Sequence, residues 1–302
     1  MNLIETQNLS HRYWRHEALR DLNLTVPTGS VTALLGANGA GKTTTIKILM
    51  NLLRPSGGVA RVLGVDSRRL GERDLARIGY VSENQQLPEW MTVTQLLNYC
   101  RPFYPGWDRA LEAKLLAQFV LPPDRKLKHL SRGMKMKAVL VSALAYRPEL
   151  LVLDEPFSGL DPVVRDDVTR GLLEAAQLGE WTVLVSSHDI EEVERLADRI
   201  AFIEDGSLRF AETTETLLGR FRRMEIEAEG RLDPRMPATW LGWESRAGRA
   251  TFVDSAYDRV AAERMSRELF PEATVRAHPM TLREIFLALA RAKQVSTGGE
   301  TK

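Results

Sequence analysis

Gly36-Ala37-Asn38-Gly39-Ala40-Gly41-Lys42-Thr43-Thr44 follows the apolar run Val31 to Leu35 and leads into a stretch of helical period, Thr43 to Leu53. Its spacing, G-x-x-x-x-G-K-T, constrains the fold more than any other part of the chain. The glycines let the backbone curl so that successive N–H groups face one anion, and the helix that follows adds partial positive charge at its start. Such a loop needs a strand before it and a helix after it. Lys42 is then placed to reach phosphate oxygens and Thr43 to hold Mg²⁺, while Asn38, Gly39, Ala40, Gly41 and Thr44 complete the cradle.

Other strand-like apolar runs recur at Leu22–Val26, Ile78–Val81, Leu150–Leu153, Thr182–Ser186 and Ile200–Ile203. Helical periods at Val163–Gln177 and Ile190–Ala197 fall between several of them. This alternation predicts an α/β fold, a largely parallel sheet with helices on it. From about Glu89 to Arg147 only helix-like pieces occur, which reads as a helical insertion. The motifs stop at about 218, so residues 1–218 are expected to form one domain and 219–302 a small α/β accessory domain. In the latter, Met224–Ala228 alternates as a half-buried strand, Arg249–Val253 is expected to pair near Trp240–Trp243, and a helix over Tyr257–Leu269 precedes a strand near Ala273–Ala277. Thr281-Leu282-Arg283-Glu284 is a capping box that starts the last helix, with Leu282, Ile285, Phe286 and Leu289 on one face. Packing within its own domain is favoured for that face over a partner. Val295–Lys302 reads as a frayed polar tail.

Composition limits the partners. Lys+Arg number 41 against Asp+Glu 40, so no global field draws the chain to nucleic acid or an anionic membrane surface. The single cysteine, Cys100, cannot form an internal disulfide and suits a reducing cytoplasm. The N-terminus lacks the basic start and apolar core of a secretory signal. The richest apolar run, Ala138 to Tyr146, is too short to span a bilayer, so a membrane role requires another subunit.

Asp154 and Glu155 end the apolar run Leu150–Leu153, where adjacent carboxylates are costly unless a cation or a proton-transfer task holds them. Downstream of the glycine loop, Asp154 is suited to orient Mg²⁺ and Glu155 to accept a proton from attacking water. His188 follows another buried-type run, at the sheet edge where ligands of parallel α/β folds sit. It is suited to hydrogen-bond a terminal phosphate. Ser131 precedes a helical stretch as a natural N-cap whose neighbouring N–H groups favour an anion.

The ordered set of the glycine loop, Leu130-Ser131-Arg132-Gly133, Leu150–Glu155, Ser158-Gly159-Leu160-Asp161 and His188 resembles the ATP-binding cassette of ABC transporters, from near residue 3 to about 218. The resemblance implies a P-loop cassette with a mixed sheet core and a helical insertion, and a Mg²⁺-dependent ATPase that dimerises head to tail, ATP on Lys42 of one chain being closed over by Ser131 and Gly133 of a second copy. Tyr13 falls where the family stacks an aromatic on adenine, with Trp14 as a rival, and Asp161 lies in the loop linking the two sites. The chain departs from the family at Glu83, where glutamine is frequent. The acid can still bind metal or water, but it adds charge beside Asp154 and Glu155 that a proton or Mg²⁺ must offset; Gln85 or Gln86 is an alternative sensor. Arg132 and Met134 stand where Gly and Gln are common, and Arg132 is expected to compensate Glu83 across the dimer seam. The tail Thr281–Leu287 resembles ATPase subunits of bacterial drug or antibiotic exporters. These imply a cytoplasmic protein held at the inner face of the membrane by a separate integral permease, with no nucleic acid partner. The alternatives are a soluble ABC ATPase acting on ribosomes or DNA and a nucleotide-gated module that barely hydrolyses ATP.

Overall fold

The buried apolar runs assemble into a six-stranded sheet in the computed structural model, which describes residues 1–83, 85–176, 181–228, 237–269 and 273–298. Its strands are β4 (Val31–Leu35), β7 (Ile78–Ser82), β8 (Leu150–Asp154), β9 (Thr182–Ser187), β10 (Arg199–Glu204) and β11 (Ser207–Thr213), in the order β11-β10-β4-β9-β8-β7. The run from β10 to β7 is parallel. β11 returns from β10 through Asp205 and Gly206, both at positive φ, as a tight hairpin turn demands.

A second, antiparallel sheet comes from β1 (Asn2–Tyr13), β2 (His16–Leu22), β3 (Thr25–Pro27), β5 (Gly57–Val62) and β6 (Val65–Asp66). The expected run Leu22–Val26 is broken into β2 and β3. Asn23 is the cause: its side-chain amide donates to Asp21 O and its carbonyl accepts from Asn8 N, which stops the ladder between them. Between the two sheets lies α1 (Lys42–Leu49), whose Ile46, Ile48 and Leu49 share one core with Ile4 and Leu22 of the antiparallel sheet and Val152 and Leu184 of the parallel one. This core anchors the glycine loop at both ends.

The remaining helices of this unit are α2 (Glu72–Leu75), α3 (Val93–Cys100), α4 (Arg109–Gln118), α5 (Arg132–Leu144), α6 (Pro162–Ala176) and α7 (Ile190–Val193). α3, α4 and α5 occupy the expected insertion, which contains short 3-10 turns and no strand among the described residues. α7 is shorter than the period Ile190–Ala197 implies. No helix of the described residues is long and apolar enough to cross a membrane.

The chain divides into Met1–Ala211 and Glu212–Lys302, ahead of the expected boundary at 218. The reason lies in α8 (Thr214–Arg220): Arg220 pairs with Glu212 at 2.7 Å and donates to Ser255 O, which ties this helix to the second unit. That unit is a four-stranded antiparallel sheet, β13-β14-β12-β15, built from β12 (Arg222–Glu227), β13 (Trp240–Arg246), β14 (Arg249–Asp254) and β15 (Thr274–Pro279). β14 pairs with β13 as expected. Met224, Ile226, Ala250 and Phe252 form a small cluster under its sheet, and α9 (Arg259–Leu269) and α10 (Leu282–Gly298) complete the unit.

α10 starts at the expected capping box, with Glu284 N donating to Thr281 Oγ1 at 3.2 Å and Thr281 N to Glu284 Oε2 at 2.8 Å. The Thr281 N–H holds the Glu284 carboxyl below its usual range. Leu282 and Ile285 are buried and the helix packs on β13, so this face serves its own unit. The helix runs on to Gly298 instead of fraying at Val295, because no glycine or proline interrupts it earlier; residues 299–302 lie outside the described residues. Thr281→Ala removes one cap and is expected to cost about 1 kcal/mol, measured as a lower denaturation midpoint followed by the fluorescence of the C-terminal tryptophans.

Candidate functional site

The parallel register brings the ends of β4, β8 and β9 level: Leu35 pairs with Ser187, and Asp154 with Ser186. Everything that follows these strands therefore meets at one edge. The loop after β4 turns at Gly39 and Gly41, φ 83° and 109°. At Gly41 a Cβ would lie 2.7 Å from Ala18 O, so both the conformation and the close approach require glycine there.

Tyr13, Asn38, Gly39, Gly41, Lys42, Thr43, Thr44, Glu83 and Glu155 line one open cleft of about 610 Å³. His16 and Ala18, which carry no motif, line it too. Ala40, within the same loop, is buried and does not line the cleft. Tyr13 is half exposed, with its ring nearly perpendicular to that of His11 and the centroids 4.5 Å apart. Trp14, its rival, is fully exposed and not part of the lining.

Lys42 and Glu155 are both buried and 3.1 Å apart. Lys42 Nζ also donates to Gly36 O at 2.6 Å and Ala37 O at 3.2 Å, so its three donors are engaged. Glu155 reaches it by taking φ 50°, a left-handed turn directly after β8. Its second oxygen, Oε2, is 2.8 Å from His188 Nδ1. One carboxylate thus joins the loop lysine to the histidine after β9.

Asp154 is held differently. Thr43 Oγ1 and Ser186 Oγ both donate to its Oδ1, at 3.2 and 2.7 Å. Ser186 Oγ in turn accepts from Glu155 N at 2.9 Å. Burial pushes the Asp154 carboxyl above its usual range, the two hydroxyls oppose this, and the charges of Glu155 and Glu83 add to it. Ser186 has no motif of its own; only its polar character at the end of an apolar strand marks it in the sequence. Behind it Ser187 Oγ bonds Glu192, which is paired to Arg165 at 3.3 Å.

Oxygens of Thr43, Asp154 and Glu83 are the hard donors here for a divalent cation. Among the described residues no cluster of three or more His, Cys, Asp or Glu side chains is poised for a metal. This donor set fits Mg²⁺, which takes few protein ligands and completes its shell with phosphate and water.

Ser131, Gly133 and Asp161 do not line the cleft. Ser131 caps α5 by accepting from Met134 N, and Asp161 caps α6 by accepting from Val163 N and Val164 N. At Gly133 a Cβ would lie 2.3 Å from Val164 Cγ1, so the approach of α5 to α6 alone calls for glycine. Arg132 Nη2 is 4.0 Å from Glu83 Oε1 within the chain, and its guanidinium lies over Gly159. Ser158 Oγ donates to the same Glu83 oxygen at 2.8 Å. The loop Ser158-Gly159 passes between the two residues and brings them together.

A glycine loop on a strand-to-helix turn, with a buried lysine and paired carboxylates at the next strand end, defines a P-loop nucleotide-binding protein. Residues 19–158 match the family model described as ABC transporter. The chain is 39% identical over 71% of its length to the daunorubicin/doxorubicin resistance ATP-binding protein DrrA of Streptomyces peucetius, covering 66% of that protein. It is 28% identical over 95% of its length to the ABC transporter ATP-binding protein YtrB of Bacillus subtilis, covering 97% of it. The sulfate/thiosulfate import ATP-binding protein CysA of Escherichia coli matches at 33% over 70% of this chain and 60% of that one. A solved ATP-binding subunit of an ABC transporter superposes with a TM-score of 0.64 at 30% identity, over 71% of this chain and 91% of that one. The chain belongs to the ABC transporter family, as an ATP-binding subunit.

Two outcomes follow from the buried charges. Lys42→Met leaves Glu155 buried without its cation and is expected to cost about 3 kcal/mol of stability; adding Glu155→Gln should recover much of it, as read by denaturant unfolding of the four proteins in a double-mutant cycle. Asp154, with its folded pKa raised, binds protons more readily folded than unfolded, so its contribution to stability falls as pH rises from the usual carboxylate value through the raised one. Asp154→Asn is therefore expected to raise the melting temperature without nucleotide, by more at pH 7 than at pH 4.

Proposed function

We propose that this chain hydrolyses ATP with Mg²⁺ for a bacterial exporter, that two copies close head to tail around two ATP, and that the pair drives a separate integral membrane permease from the cytoplasmic face. The observation that carries the catalytic part is the contact of Glu155 with Lys42 and His188 at once. Lys42 and Glu155 neutralise each other in the cleft. A terminal phosphate drawn to Lys42 competes for the ammonium and frees Glu155 Oε1 to take the proton of a water. His188 Nδ1 faces Glu155, which leaves Nε2 as the ring nitrogen for phosphate. Thr43 and Asp154 would hold Mg²⁺ with Glu83 beside them; the ion offsets charge on the phosphates. Tyr13, in the cleft lining, is the aromatic ring for the base, and Asn38, Gly39, Ala40, Gly41 and Thr44 cradle the phosphates.

Ser131 and Gly133 do not line their own chain's cleft, which supports their acting on the nucleotide of a second copy, with Asp161 in the loop between the sites. Trp90, Tyr99 and Phe103 are exposed on the helical insertion, an aromatic surface suited to a permease. The relatives reported above are named for transport or drug resistance, which favours a permease over ribosomes or DNA. For direction, the higher identity to the drug-resistance protein than to the import protein supports export.

Glu155→Gln is expected to lower ATP turnover by about 10²-fold or more and to elute as a dimer in ATP on size-exclusion chromatography. Unchanged turnover removes Glu155 as base. Glu83→Gln is expected to stay active; an inactive variant assigns the acid a role of its own. Purification from the native membrane should bring an integral membrane protein with it, and ribosomes or DNA in its place overturn the transporter reading.

A further inference from the structure

The C-terminal unit has a partly open recess between its sheet and α9. Met224 and Ile226 of β12, Trp240 of β13 and Phe252 of β14 form its apolar wall. Trp240 stacks on Phe252 at 4.1 Å and 29°. Two carboxylates, Asp254 and Asp258, also line the recess, and no Lys, Arg or His does among the described residues.

The two acids are not equivalent. Asp258 Oδ1 accepts from Ala261 N at 2.9 Å and caps α9, so the positive start of that helix is already occupied by a carboxylate. Asp254 is only 8% exposed and the one described hydrogen bond to its side chain is from Ala256 N, at 3.0 Å. Burial raises its pKa, and that single N–H is all that opposes it. The cation nearest in register is Arg222, directly opposite on β12. Its Nη1 instead donates to Leu218 O and Phe221 O, and its guanidinium lies over the Tyr257 ring at 5.4 Å. A nearly buried acid in an aromatic recess is costly without a cation, and aromatic faces themselves attract cations.

We propose that this recess binds a small lipophilic organic cation of the aryl- or alkylammonium class, with Asp254 as counter-charge and Trp240 and Phe252 as its aromatic wall. An anion is excluded by the two carboxylates. Full-length protein titrated calorimetrically with benzyltrimethylammonium should show saturable binding to one site. The neutral near-isostere dimethyl benzyl carbinol should bind at least about tenfold more weakly. Asp254→Asn should lose a similar factor for the cation only, and Trp240→Leu should weaken both compounds. ATP should leave the cation's affinity unchanged. Absence of saturable binding, equal affinity for the carbinol, or competition by ATP overturns the proposal, as does full affinity in a folded Asp254→Asn protein. Should that variant fail to fold, the comparison of cation with carbinol on the unmodified chain decides alone.

Discussion

Two adjacent carboxylates, Asp154 and Glu155, are almost fully buried at the end of a strand that is itself buried on both faces. Leaving them there without partners would cost several kcal/mol. The surrounding geometry meets that demand from three chain segments: Thr43 and Lys42 after β4, Ser186 and His188 around the end of β9, and the left-handed turn at Glu155. Each contact needs the strand ends level to within about one residue. The parallel register supplies that, and the shared core around α1 keeps it.

The same burial explains which elements were legible. β4, β7, β8, β9 and β10 lie inside the fold, so they read as apolar runs with few interruptions. β1, β2 and β5 have one partly exposed face, and their alternation is broken by register shifts at Leu9, His11 and Arg12 and by positive φ at Asn8 and Asp21. No period survives those breaks, so the individual strands of the antiparallel sheet are not legible as alternating runs. The loop residues Gly36–Thr44 and the acids after β8 were legible because their chemistry tolerates few substitutes. His16 and Ala18 were not, because a cleft wall needs only shape.

Contacts between distant segments set a stricter limit. Glu83 and Arg132 each stand out in the sequence, and their opposite charges suggest compensation, but whether the two approach within one chain depends on where Ser158-Gly159 passes. In the structure they do. The 4.0 Å separation and the exposure of Arg132 make the direct ion pair weak. Ser158, at hydrogen-bond distance, is the firmer tie on Glu83. Glu83 is thereby oriented by the loop that follows β8, the strand that presents Asp154 and Glu155, so these acids share one support.

The C-terminal unit obeys a different balance. The cluster Met224, Ile226, Ala250 and Phe252 under its sheet is extended by partly buried Trp240, Trp243 and Tyr257, and so small a cluster has little margin for unfilled space. The unit nonetheless keeps an apolar recess with an acid in its wall, while ion pairs such as Arg220 with Glu212 and Arg223 with Glu284 hold its helices from outside. A larger side chain in place of Ala261 or Ala262 would close the gap if packing were the only requirement. Small residues on α9 facing two aromatic rings and a buried carboxylate are better explained by an occupant that supplies both the missing volume and the missing charge.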